Sequence, residues 1–276
     1  MGKGMAVRLF AELRPLNGFI AAAGVFAGFV AAAKAFIFPQ GLILAVASAF
    51  LITSAGNLVN DFFDMEIDKK LGRKNPLVSG SIGKEFFLAF TAALFIAGLW
   101  LAWLVNETAF IIALAVSILL VVYSALMQRQ KALGNFVVAF GTSLTLVFGA
   151  AIAGEYVLPS LFAASAFFAN VGREIIKDSE QLGADRGVKK TLPMILGFDK
   201  IRLAVLGVYI VAALVAFAAW VSGGVQSIAF LAFLIVSAAL LYVSWSLFSR
   251  KKFAEAQRFS KYAMVAALLA FVAVAL

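Results

Sequence analysis

Long uncharged apolar runs alternate with short polar breaks along the whole chain. One of them, "GLILAVASAFLITSAGNLV", carries no charge over its length. Nine such runs occur, near residues 16–37, 41–61, 85–105, 109–127, 133–153, 158–177, 201–221, 226–248 and 258–276. Each is close to the roughly 20 residues that a helix needs to cross a hydrocarbon core. The pattern predicts an all-α polytopic membrane protein with nine transmembrane helices in a single membrane domain. The first run, ending near an Ala-x-Ala sequence, resembles a secretory signal, but its apolar part is longer than a signal's. Ala6 breaks the myristoylation pattern at the same end.

Composition agrees with this pattern. Of 276 residues 64% are hydrophobic, and the mean hydropathy is +1.02. A soluble fold of this length has no interior large enough for that much apolar surface. Charge then orients the helices. The breaks alternate between weakly charged ones ("FPQ", "NET", "GEYV", "SGGVQ") and basic ones, among them residues 62–84 and 173–200. Of the 23 Lys and Arg only Lys34 falls on the weakly charged side. The positive-inside rule predicts a cytoplasmic N-terminus, cytoplasmic basic loops and, after nine spans, an outside C-terminus. Lys34 is expected to snorkel to the outer surface. Arg250, Lys251 and Lys252 are read as topology signals beside anionic lipid, and no nucleic-acid partner is expected.

The chain has no Cys and no His. Disulfides, thiol chemistry, the usual zinc and haem ligands and the commonest general base are therefore all absent. A metal here must be held by oxygen, which selects Mg²⁺, Ca²⁺ or Mn²⁺.

The acids are few and clustered. "NDFFDMEIDKK" follows the second apolar run and brings Asp61, Asp64, Glu66 and Asp68 to its end. "REIIKDSEQLGADRGVKKTLP" follows the sixth. Asp61, Asp64 and Asp68 have the same spacing as Asp178, Gln181 and Asp185, with Asn57 and Glu174 four residues upstream of each set. The two copies lie 117 residues apart. This offset carries span one onto span five. It implies an internal repeat, about 15–127 and 133–249, with a ninth helix near 258–276. One acidic cluster alone would read as a solvated helix end. Two with one spacing read as halves of a site.

Offsets of 0, 4, 7 and 11 share one face of a helix. Asn57, Asp61, Asp64 and Asp68 form one stripe, and Glu174, Asp178, Gln181 and Asp185 a second that is expected to break near Gly183. Facing stripes of carboxylate repel unless cations lie between them. Basic residues follow both stripes: Lys69, Lys70, Arg73 and Lys74 in one copy, Arg186, Lys189 and Lys190 in the other. Carboxylates for a metal and cations for phosphate oxygens together suit a Mg²⁺-bound diphosphate. The apolar spans above leave room for a hydrocarbon tail.

"NDFFDMEID" matches the NDxxDxxxD signature of the UbiA superfamily of intramembrane prenyltransferases. The resemblance covers the whole chain, including the start "RPLN". "REIIKDSE" with "GADRGVKKTLP" is most similar to the archaeal digeranylgeranylglyceryl phosphate synthases within it. The resemblance implies a Mg²⁺-dependent transferase that ionises geranylgeranyl diphosphate and joins its allylic carbon to the free hydroxyl of geranylgeranylglyceryl phosphate. It implies metal ligation by Asp61, Asp64, Asp68, Asp178 and Asp185. Gln181 stands where the family often has Asp, so Glu174 or Glu180 is the candidate replacement. Arg14, Asn17, Asn57, Asn60, Lys69, Arg73, Tyr123, Lys131, Asn135, Lys177, Arg186, Lys189 and Lys190 are the candidate substrate-binding residues. An aromatic quinone precursor is the alternative acceptor.

A transporter is the competing class, since it too uses repeats with ionisable groups at helix ends. Its sites, however, usually lie near the bilayer midplane, and here the spans above the acids are uncharged. Gly24 and Gly28 form a GxxxG pair in span one and are expected to allow close helix packing within the monomer.

Overall fold

The structure, a computed structural model, describes residues 9–70, 72, 76–127, 131–182, 191–222 and 224–276. Nine long helices account for most of them: α1 Pro15–Ala33, α2 Gln40–Lys70, α3 Lys84–Val105, α4 Glu107–Val122, α5 Lys131–Ala153, α6 Val157–Glu180, α7 Phe198–Val221, α8 Ile228–Ser249 and α9 Phe253–Val272. A single π-helical turn, Tyr123–Met127, extends α4, and a one-turn helix, Leu192–Leu196, precedes α7. Eight of the nine are long and apolar enough to cross a membrane. The exception is α6, the expected sixth span. Its last three turns hold Asn170, Arg173, Glu174, Lys177 and Asp178, and these lower its hydropathy.

Consecutive helices pack against one another, and α9 returns to close on α1 and α6. α1 and α2 are the most enclosed, whereas α3 and α4 turn Ile96, Trp100, Trp103, Ile111 and Ile118 outward. An apolar outer face is the expected form where the surroundings are lipid rather than water.

Close approach is arranged by glycine. A Cβ on Gly28 would run into the Leu146 carbonyl, and one on Gly149 into the Val25 carbonyl. Gly24 meets Thr145 in the same way. The GxxxG pair of α1 thus serves contact with α5 inside the monomer, as small residues do where helices associate in lipid. Further along, Phe162 stacks on Phe271 with centroids 4.1 Å apart, joining α6 to α9. Asn106 caps α4 by accepting from the Ala109 N–H and donates to the Ala151 carbonyl, tying the α3–α4 turn to the end of α5.

Candidate active site

α2 stays helical through its whole acidic end. Its 31 residues span about 46 Å at 1.5 Å per residue, against a hydrocarbon core of about 30 Å. About three turns are left for charge. Asp61, Asp64 and Asp68 are only 3%, 8% and 7% exposed, while Glu66 and Lys69 face out. The stripe read from the spacing is therefore turned inward, and Glu66 lies off it.

α6 repeats the arrangement. Glu174 and Asp178 are buried, Asp178 completely, and Glu180 is exposed. Of the two candidates to replace the acid missing at Gln181, only Glu174 faces the interior. Its carboxylate accepts from Arg173 at 2.9 Å and from Lys177 at 2.8 Å. Asn135, in the first turns of α5, donates to Asp178 at 2.7 Å. The helix ends sooner than expected. Gln181 is its C-cap at φ −89°, ψ 4°, so it leaves the stripe's phase two residues before Gly183. A glycine just past a helix end favours that termination.

The segment before α1 closes the near side. Arg14 bridges to Asp61 at 2.5 Å. Asn57 donates to the Leu13 carbonyl at 3.0 Å and accepts from Asn17 at 3.3 Å. Arg14 holds a left-handed backbone, φ 48° and ψ 63°, directly before Pro15. Non-glycine residues adopt that conformation at a cost that surrounding contacts must offset, and such outliers cluster at functional sites.

Tyr123 stands where α4 ends. It is half-buried in the π-turn, with its ring over Gly134 of α5. Asp64 of α2 and Glu174 and Asp178 of α6 all lie near enough to act on its hydroxyl electrostatically. Single π-turns are frequent at functional sites, and this one packs against α2 and α5. Asn60 and Lys177 are half-buried on the same helix ends. Arg73, Asp185, Arg186, Lys189 and Lys190 lie outside the described residues, as does the side chain of Lys131.

Two participants escaped the sequence reading. Arg173 pairs with Glu174, and Glu12 lies beside Asp61 and acts on it. Arg173 is adjacent to Glu174 in "GREIIKD", but its direction depends on the helix phase. Glu12 lies two residues before the RPLN stretch singled out at the start of α1.

The donors suit a hard divalent ion. They are carboxylate oxygens, and Asp61 Oδ2 is shut from solvent with no hydrogen-bond donor on it. Among the described residues no three acidic side chains form one ligand cluster. Mg²⁺ does not require one, because it is usually held by one or two carboxylates, waters and substrate phosphates. Above the polar layer an apolar cavity opens between α2, α4 and α5, lined by Ile52, Thr53, Val116, Gly141, Leu144 and Phe148 among others.

Comparison with known proteins gives a consistent picture. The model of the UbiA prenyltransferase family matches residues 21–273. The digeranylgeranylglyceryl phosphate synthase of Thermococcus kodakarensis is 32% identical over 272 residues, covering 98% of this chain and 97% of that one. A solved digeranylgeranylglyceryl phosphate synthase structure superposes with a TM-score of 0.83 at 25% identity, covering 98% of both chains. A UbiA homologue from Archaeoglobus fulgidus, solved bound to GPP and Mg²⁺, superposes with a TM-score of 0.72 at 17% identity, covering 98% of this chain and 100% of that one.

Proposed function

This chain belongs to the UbiA prenyltransferase family, and from that premise we propose that it transfers a geranylgeranyl group from geranylgeranyl diphosphate to the free hydroxyl of geranylgeranylglyceryl phosphate. The choice of acceptor is supported by the relatives named digeranylgeranylglyceryl phosphate synthase, similar over nearly the whole chain. The observation that carries the reading is the inward burial of Asp61, Asp64 and Asp178 on the ends of α2 and α6, with Arg14 bridging Asp61 and Asn135 donating to Asp178.

In the proposed reaction the allylic C–O bond of the donor breaks, diphosphate leaves, an ether bond forms to the acceptor oxygen, and the hydroxyl proton is released. Asp61, Asp64 and Asp68 on α2 and Asp178 on α6 would hold Mg²⁺, as would Asp185. The Archaeoglobus homologue bound to GPP and Mg²⁺ supports the choice of metal. When bound, the metal supplies Lewis-acid stabilisation of the negative charge on the departing diphosphate. Asn135 fixes the orientation of the Asp178 carboxylate. Arg14, half-exposed at the mouth, offers a planar donor set suited to phosphate oxygens. Lys177 and Arg173 neutralise Glu174 and keep the second stripe from repelling an anionic donor. Lys69 faces outward at the rim, where the phosphate of the acceptor would approach. The apolar cavity above takes the hydrocarbon tail and keeps water from the allylic carbon.

Two architectural proposals accompany this. The chain is a tandem repeat of four helices plus a ninth. In support, shifting α1–α4 by 117 residues brings each start within four residues of the starts of α5–α8. The polar end faces the cytoplasm and the C-terminus lies outside, which the charge distribution of the connections supports.

The test is an acceptor comparison with purified protein and labelled geranylgeranyl diphosphate. Ether product from geranylgeranylglyceryl phosphate is expected. Transfer confined to a hydroxybenzoate or naphthoate would overturn the choice of acceptor. Solute or ion flux in liposomes without diphosphate release would overturn the enzymatic reading.

A further inference from the structure

Gly141 in α5 differs from its neighbours. Gly149 has no room for a side chain because α1 presses a backbone carbonyl onto it, and Gly134 lies under the Tyr123 ring. At Gly141 a Cβ would meet nothing within 4 Å. The conformation is ordinary helix, so no backbone need explains the residue either. A glycine inside a helix is less stable than an alanine. Here that cost is borne with no contact to require it.

What Gly141 borders is the apolar cavity between α2, α4 and α5. Its height in the bundle follows from helix rise. Asn135, hydrogen-bonded to Asp178, marks the polar layer on α5. Gly141 lies about 9 Å above it along the axis, and Phe148, at the far end of the cavity, about 20 Å above. Thr53 on α2 stands at a comparable height, about 12 Å beyond Asp61. A donor held by its diphosphate in the polar layer must run its chain past Gly141 to reach Phe148. Thr53, Val116 and Leu144 flank the same passage.

We propose that the missing side chain at Gly141 sets the length of prenyl chain the protein accepts. The proposal rests on the prenyltransferase reading. Short chains end below this level and do not need the space; a geranylgeranyl chain does. A side chain at 141 would fill the passage partway and leave the polar layer untouched.

The experiment compares wild type with Gly141→Ala and Gly141→Phe, using dimethylallyl, geranyl, farnesyl and geranylgeranyl diphosphates with one acceptor and reading kcat/KM for each donor. Gly141→Phe should lose geranylgeranyl transfer on the order of a hundredfold or more while geranyl transfer stays within a fewfold, since added volume in an apolar pocket discriminates at about that scale. Gly141→Ala should shift the same ratio in the same direction by about tenfold or less, with a melting temperature at or above wild type. A uniform loss across all donors in Gly141→Ala, or an unchanged donor preference in a folded Gly141→Phe, would overturn the proposal. No transfer by wild type with any donor would instead overturn the reading on which it rests.

Discussion

Asn135 touches the site through one 2.7 Å hydrogen bond to a carboxylate that has no solvent exposure. A hydrogen bond to a charged group contributes about 1.5–3 kcal/mol. Asn135→Ala should therefore lower kcat/KM roughly ten- to a hundredfold, and it should lower the melting temperature too, since a buried carboxylate loses its donor. Asn135→Asp keeps the shape but sets a second carboxylate against Asp178, and it should cost more. Unchanged kinetics in both would show that Asp178 does not depend on this donor. Arg14 makes a different case. It is about half exposed and bridges buried Asp61, so Arg14→Gln should raise KM for the diphosphate donor more than it lowers kcat. The inward face of Asp61, Asp64, Asp68, Glu174 and Asp178 was legible from spacing alone, because i+4 and i+7 positions share a helix face wherever the helix continues. Glu180 shows the limit of that rule. It was close in sequence to the missing ligand, but lies two residues past Asp178, on the outward side of α6.

Among the elements, the α1–α5 contact and the π-turn are the two on which the site is built. Gly28→Leu would force α1 off α5 at a backbone carbonyl. It should abolish recovery of folded protein in detergent, whereas Gly141→Ala should not. Gly134→Ala is milder, since a Cβ there meets only the Tyr123 ring. It should displace that ring and reduce turnover while leaving the fold intact by circular dichroism. The helices themselves were legible from apolar run length. The break in α4 at Tyr123 was not, because a π-turn inserts into the helical pattern without a composition signal. α6 was read as a span from the apolar run at 158–177, but its charged turns keep it out of the eight helices long and apolar enough to cross a membrane.

At the scale of the whole molecule, the segregation of charge to one end makes orientation testable, and the absence of cysteine makes the test clean. Ser79 and Glu155 are exposed on opposite sides of the predicted topology. A single cysteine at Ser79 should react with an impermeant maleimide only from the cytoplasmic side, and one at Glu155 only from outside. The reverse labelling would invert the assignment. The acidic spacing that recurs 117 residues on was the strongest whole-chain signal in the sequence. What sequence could not supply was the pairing of Arg14 with Asp61 and of Asn135 with Asp178, because each depends on how separate helices pack.

The proposed reaction requires the two stripes to act as one site. Turnover by Asp61→Ala, Asp178→Ala and the double variant, measured at saturating Mg²⁺ in folded protein, tests this most directly. One shared site predicts that each single change removes nearly all activity and that the double is no worse than either, because residues acting as a unit are strongly non-additive. Partial losses that multiply in the double variant, or activity that persists without either Asp, would contradict it.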